Sequence, residues 1–231
     1  KRFPVTPRGG GQGLSGGAVP VHGGVVLSVE RMNRILEIDE ENLMATLEPG
    51  VITGDLHRAV EAEGLFYPPD PASLDSCTIG GNIVENAGGP RAIKYGVTGH
   101  YVLGLEAVVP TGEIVEMGGK RLKDVTGYDL IHLLVGSEGT LGIFTKITLR
   151  LLPRPAATAV LLVPFGSASE AVEAFPRVIA AAGILPTSIE FMDRLSVETV
   201  YRFLGETPPR PDIGAMLLIE LDGSRREKVD E

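Results

Sequence analysis

The hydrophobic positions change rhythm partway along the chain. Up to about residue 153, short β-branched and aliphatic runs are parted by glycines, and residues 25–29, 44–47 and 103–109 each read as a strand. Phe3-Pro4-Val5-Thr6 reads as a further strand, entered partway through a domain. Thr111-Gly112-Glu113 lies between the runs 105–109 and 114–117 and predicts a tight hairpin. Between residues 140 and 152, Ile143, Thr145, Ile147 and Leu149 alternate with their neighbours, the pattern of a half-buried strand. One helix stands out, over residues 53–63: Leu56, Ala59 and Val60 form its apolar stripe, Thr53 is its expected cap and Gly64 its expected stop. His57, beside that stripe, is expected at the surface.

After Pro153-Arg154-Pro155 the glycines thin out. Strands are predicted over 158–163, 188–192 and 216–221, with an amphipathic helix over 167–182 and a further helix over 195–203. That β-α-β-α-β order predicts an α+β, ferredoxin-like second domain, and the expected boundary divides 1–153 from 154–231. The charged run 224–231 resembles a helix start more than a domain end, and Lys1 is no initiator methionine, so the chain reads as a piece with both ends cut.

Composition narrows the class. With 231 residues and 43% hydrophobic content the chain can bury real cores. A net charge of -9 argues against nucleic acid or an anionic membrane surface as main partner. No run of 18 apolar residues predicts a transmembrane segment. Cys77 is the sole cysteine, which excludes an internal disulfide or a cysteine-ligated iron–sulfur cluster in this chain and fits a reducing, cytoplasmic setting. His22, His100 and His132 lie far apart and show no metal-ligand spacing, so no metal site is expected.

The candidate chemistry lies in four patches, three of them glycine-bearing. The first runs from Arg8 to Gly17, and so many glycines carry an entropic cost that close approach of backbone N–H groups to an anion would justify. Gly11, Gly13 and Gly16 match G-x-G-x-x-G with Glu30 about 20 residues on, the fingerprint of a nicotinamide-binding Rossmann unit. That motif needs a helix opening at the glycines, and Gly17-Ala18-Val19-Pro20 does not read as one. A strand–loop–strand phosphate cradle is expected instead. The other patches are Tyr67 to Ser73, Cys77 to Gly89, and Gly136 to Ile143. Each alone also reads as a turn. Asp70, between prolines, reads as a turn former as well as a ligand-lining residue, and Asn82 or Asn86, one helical turn apart, as a cap.

Taken in order, Pro7-Arg8-Gly9-Gly10-Gly11, Pro69-Asp70-Pro71-Ala72-Ser73, Thr78-Ile79-Gly80-Gly81-Asn82 and the run Gly136 to Ile143 resemble the flavoproteins of vanillyl-alcohol oxidase type, with their p-cresol methylhydroxylase-like FAD domain. The likeness covers essentially the whole chain. Lys94-Tyr95-Gly96 and the run Leu122 to Leu130 further resemble the D-2-hydroxyacid branch, that of glycolate oxidase D subunits and D-lactate dehydrogenases.

The resemblance implies a two-lobed FAD domain lacking its amino-terminal part, followed by the start of a cap domain. It implies non-covalent FAD and oxidation of a small D-2-hydroxy acid to the 2-oxo acid by hydride transfer to flavin N5. By the same resemblance Gly9, Gly10, Gly11, Gln12, Gly13 and Leu14, with Ser15, would hold the diphosphate. Pro69, Asp70 and Ser73 would line the cofactor; Thr78, Gly80, Gly81 and Asn82 would pass diphosphate and flavin, with Asn86, Gly88 and Gly89 nearby. Glu138, Gly139, Gly142 and Ile143 would touch the adenosine or ring end. Gln12 stands where several relatives carry a flavin-linked histidine. The base, the carboxylate-binding groups and a histidine metal site belong to later parts of the cap in that branch, so no catalytic residue is assigned. Iron–sulfur and second flavin-domain subunits are implied partners, with peripheral membrane association through them. Two alternatives stand beside this reading: a non-catalytic FAD-binding subunit of a larger oxidase, and a Rossmann-type dehydrogenase.

Overall fold

A computed structural model of the chain describes residues 3–183, 185–226 and 229. In chain order the elements are β1 (Val5–Arg8), β2 (Val25–Ser28), β3 (Ile35–Asp39), β4 (Met44–Leu47), α1 (Thr53–Ala62), β5 (Leu65–Phe66), α2 (Ile79–Glu85) and α3 (Ala92–Tyr95). There follow β6 (Val102–Val108), β7 (Ile114–Gly118), α4 (Leu130–Leu134), β8 (Ile143–Arg150) and β9 (Leu152–Pro153). The last are β10 (Ala157–Phe165), α5 (Ala168–Ala182), β11 (Ser188–Asp193), α6 (Arg194–Leu204) and β12 (Ala215–Gly223). The chain divides into two compact units, Lys1–Gly89 with Gly96–Arg154, and Pro90–Tyr95 with Pro155–Glu231. The expected helix start over 224–231 lies in part outside the described residues.

In the first unit, β1 and β2 pair in parallel, Val5 opposite Val25, so the glycine run spans from one strand to its neighbour. No helix opens between them, as the sequence predicts. A five-stranded antiparallel sheet has the order β3-β4-β8-β6-β7. The 111–113 turn joins β6 to β7 in register, Val108 opposite Ile114. Leu47, Leu56, Val60, Ile79, Ile83, Ile147 and Leu149 are fully buried and form the core over which α1 and α2 lie.

Two expectations for this unit are corrected. The strand expected from residue 140 starts at Ile143, and its alternation breaks: Phe144 and Ile147 are both buried, three positions apart. The cause is a bulge. Glu106 pairs with Lys146 and Ala107 with Phe144, which leaves Thr145 as an extra residue and reverses the facing of what precedes it. Thr145 Oγ1 donates to Glu106 Oε1 at 2.5 Å. At α1, Thr53 is not the cap. Ile52 holds that position without a side-chain bond, and the first amides are satisfied by carbonyls of a neighbouring segment, Thr53 N to Cys77 O at 3.0 Å and Gly54 N to Leu74 O at 2.9 Å. Gly64 stops the helix with φ of +73°, as expected.

In the second unit the strand order is β10-β12-β11, all neighbours antiparallel. Successive residues of β12 face opposite ways, and each face takes a helix. Ala215, Leu217 and Ile219 pack with Ala171 of α5, and Met216 packs with Val197 of α6. Ser167 Oγ accepts from Glu170 N at 3.2 Å while Glu170 Oε2 accepts from Gly166 N at 3.0 Å, a reciprocal cap for α5. Asp193 caps α6 by accepting from Ser196 N at 2.7 Å, which holds its carboxyl below the usual range. The short α3 is tied to β12 by Asp222, whose carboxylate takes Lys94 Nζ and, at 2.8 Å, Tyr95 OH.

Candidate functional site: a glycine-walled cavity

A cavity of about 370 Å³ opens in the first unit, within the usual range of roughly 300–1,000 Å³ for small-molecule sites. The three glycine patches meet in it, though they lie far apart in sequence. The loop after β1 contributes Gly9, Gly10, Gly11, Gln12, Gly13 and Leu14; the α2 segment contributes Thr78, Gly80, Gly81 and Asn82; the approach to β8 contributes Glu138, Gly139, Gly142 and Ile143. Ser73 reaches it from the proline patch.

The local chemistry explains the glycines. The Ser73–Cys77 turn is held by the amides of Ser76 and Cys77 on Ser73 O, both at 2.8 Å. The loop runs against this turn so closely that a Cβ on Gly10 would drive into Ser76 O. A Cβ on Gly13 would lie 2.6 Å from Glu85 Oε1, and one on Gly80 2.7 Å from Pro49 Cβ. Thr78 caps α2 by accepting from Gly81 N at 3.2 Å, and Gly80 N donates to Pro49 O at 2.8 Å. At the other end of α2, the 136–138 segment satisfies its last carbonyls: Gly136 N donates to Ile83 O at 3.0 Å and Glu138 N to Val84 O at 2.8 Å. The fourth patch therefore clamps the helix that carries the third.

The amides of Gly10, Gly11, Gln12, Gly13 and Leu14 contrast with this. Among the described residues they donate to no backbone or side-chain acceptor. Consecutive amides turned toward one concavity form a nest for an anion, and they need no lysine to do so. The charged lining is mixed: Arg8 is cationic, Glu85 and Glu138 are acidic.

Six expected residues do not line this cavity. Ser15 turns its hydroxyl to Glu85, 3.3 Å from each carboxylate oxygen. Asp70 lies against Gly89, where its own carbonyl and carboxylate would meet a Cβ. Pro69 is held from behind by His57, and Gly88 and Gly89 follow α2 beyond the wall. Asn86 is the left-handed C-cap of α2, φ of +49°, and its Oδ1 accepts from Gly99 N at 2.9 Å; the capping alternative is the one realised for it. Asn82 instead is buried in the wall and donates from Nδ2 to Thr53 Oγ1 at 2.7 Å.

His57 corrects a sequence expectation outright. It is buried, 7% exposed, with Nε2 2.9 Å from Pro69 O and its ring edge-on to Tyr67 at 5.7 Å. Thr53, Leu56, His57 and Val60 are spaced as one helix face, so the missed signal was the polar Thr53 at its head. Sequence reasoning also missed Arg8, Cys77, Glu85 and Phe144 as lining residues. Arg8 and Cys77 open two of the expected patches and Glu85 lies within the second of them, though none was singled out there; Phe144 comes in only because of the bulge.

Comparison with known proteins follows the same division. The FAD binding domain family matches residues 1–118, and the C-terminal domain of the FAD linked oxidases matches residues 154–231. The chain is 51% identical over 222 residues to the glycolate oxidase subunit GlcD of Bacillus subtilis, covering 96% of this chain and 47% of that protein. It is 41% identical over 235 residues to a D-lactate dehydrogenase of Anaerostipes hadrus, covering 100% of this chain and 49% of that one. The chain thus spans about half the length of these curated relatives. Among solved structures, an alkyldihydroxyacetonephosphate synthase superposes with a TM-score of 0.78 at 25% identity, over 98% of this chain and 44% of that chain. With glycine loops that fit a diphosphate and with both domain profiles matched in order, the chain belongs to the FAD linked oxidases and its cofactor is FAD.

Proposed function

We propose that the protein of which this chain is part oxidises a small D-2-hydroxy acid, glycolate or D-lactate, to the 2-oxo acid. The observation that carries the cofactor site is the run of free amides from Gly10 to Leu14 in a cavity walled by glycines. FAD, when bound, supplies an acceptor for the hydride that leaves the substrate carbon. This chain's part is to bind and orient: the loop amides hold the diphosphate, Thr78 to Asn82 and Glu138 to Ile143 shape the walls, and Cys77 and Phe144 help to exclude water. Gln12 carries an amide with no nucleophilic ring nitrogen, so the flavin is held without a covalent bond there. The 1–153 region acts as the FAD domain and 154–231 as part of a substrate-side cap of ferredoxin-like type. The relatives named above support the substrate class, and the word subunit in the name of the first supports partner chains such as iron–sulfur and flavin-domain proteins.

The test is an absorption spectrum of the full-length protein, repeated on the supernatant after acid precipitation. Flavin bands that move to the supernatant, and that bleach with D-lactate or glycolate before precipitation, are expected. Colour retained by the pellet would refute the non-covalent reading. Flavin that neither acid reduces would refute the substrate class.

A further inference from the structure

The amide nest supplies partial charges only, whereas a diphosphate brings full ones. Among the charged residues that line the cavity, Arg8 is the cation, and the other two are carboxylates, Glu85 and Glu138. Neither comes within ion-pair distance of it, and among the described residues Arg8 has no carboxylate partner. Other arginines among the described residues are ion-paired, for example Arg34 with Glu48 at 2.7 Å and Arg210 with Asp212 at 2.7 Å. Arg8 closes β1 and is exposed, yet its side chain is folded back over the loop. A Cβ on Gly11 would lie 2.9 Å from both Nε and Nη2. Gly11 thus serves twice: its φ of +70° turns the loop, and its missing side chain leaves room for the guanidinium beside it.

We propose that Arg8 is the charge-bearing element of the cradle and grips the FAD diphosphate alongside the amides of Gly10 to Leu14, an inference that rests on the reading of this cavity as the FAD site. Without Arg8 the charged lining would be Glu85 and Glu138 alone, and their field opposes a dianion. The planar guanidinium is suited to two phosphate oxygens at once, which a lysine ammonium is not. Arg8 on this account sets the sign of the potential at the mouth of the cradle and makes binding selective for a flavin that carries a diphosphate.

The experiment titrates the flavin-stripped full-length protein with FAD and, separately, with riboflavin, which lacks phosphate, following flavin fluorescence at several salt concentrations. For Arg8→Gln the Kd for FAD is expected to rise about 10- to 100-fold, the loss typical of a charge-assisted hydrogen-bond pair, and its salt dependence to weaken. The riboflavin Kd should move by less than about twofold, and Arg8→Lys should fall between wild type and Arg8→Gln. An Arg8→Gln protein that binds FAD within about twofold of wild type, with the wild-type salt dependence, overturns the proposal while leaving the FAD site intact. An equal loss for riboflavin overturns it too, since the residue would then be shaping the loop and not reading the diphosphate. A wild-type protein that binds no FAD removes this inference together with the functional reading.

Discussion

Replacing Gly10 by alanine separates space from backbone conformation as the reason for a glycine. Gly10 does not have a positive φ, so alanine meets no backbone penalty there. The obstacle is contact: the new Cβ would overlap Ser76 O and sit 3.3 Å from Cys77 Cα. The turn it meets cannot yield cheaply, because its two amides close on Ser73 O and Cys77 O accepts the first amide of α1 at 3.0 Å. The loop moves instead, and it carries the free amides with it. Overpacking of this kind costs about 1–3 kcal/mol. At 1.4 kcal/mol per tenfold, FAD affinity should fall roughly 10- to 100-fold. Unfolding temperature should fall by about 2–12 °C, at about 2–4 °C per kcal/mol for a chain of this size. Gly16→Ala is the counterpart: φ is +86° and nothing lies within 4 Å of a new Cβ, so it carries backbone strain of about 1 kcal/mol and no collision. Fluorescence titration with FAD and thermal unfolding of both variants provide the comparison. A Gly10→Ala protein that binds FAD like wild type, beside a Gly16→Ala protein that does not, would refute the steric account.

Three further outcomes are expected. His57→Ala should lose about 1–3 kcal/mol of stability in thermal or urea unfolding, because the buried Pro69 carbonyl is left without its donor. Tyr67→Phe should leave the unfolding temperature unchanged or raise it, since the hydroxyl is buried with no partner at hydrogen-bonding geometry among the described residues and burial pushes its ionisation far upward; a clear loss would show a satisfied hydroxyl. Glu48 accepts from Arg34 N, Nε and Nη2, and those bonds hold its carboxyl below the usual glutamate range. A carboxyl lowered on folding stabilises above its unfolded pKa and loses that contribution as pH falls through the folded value, so the wild-type unfolding temperature should drop below pH 4.5 more steeply than that of Glu48→Gln.

Much of the fold could be read directly along the chain because it depends on local periodicity and turn chemistry. The 53–63 stripe, the Thr111-Gly112-Glu113 turn and the β-α-β-α-β rhythm after residue 153 each express one face of one element, and the structure holds all of them. The glycine patches were equally visible, since residues that give up side chains over ten positions mark a backbone that something must approach. What the linear order does not contain is which backbone approaches which. The wall of the cavity exists because residues 9–14, 73–82 and 138–143 converge, and the shortage of space at Gly10 and Gly13 belongs to Ser76 and Glu85 on other segments.

The errors have the same origin. His57 is buried because the Pro69 carbonyl, twelve residues on, turns back to meet it. Thr53 gives up the cap because carbonyls from residues 74 and 77 satisfy the helix start, which frees its hydroxyl for Asn82. Thr145 breaks the alternation of β8 through a bulge whose partner, Glu106, lies 39 residues away. The sequence alone determined the type of the strongly periodic elements and marked the glycine runs, because both follow from each residue's own backbone and side-chain preferences. The tertiary structure decided which polar groups are buried, which amides stay free and which side chains line one cavity, because hydrogen-bond partners and close contacts are properties of pairs brought together by folding.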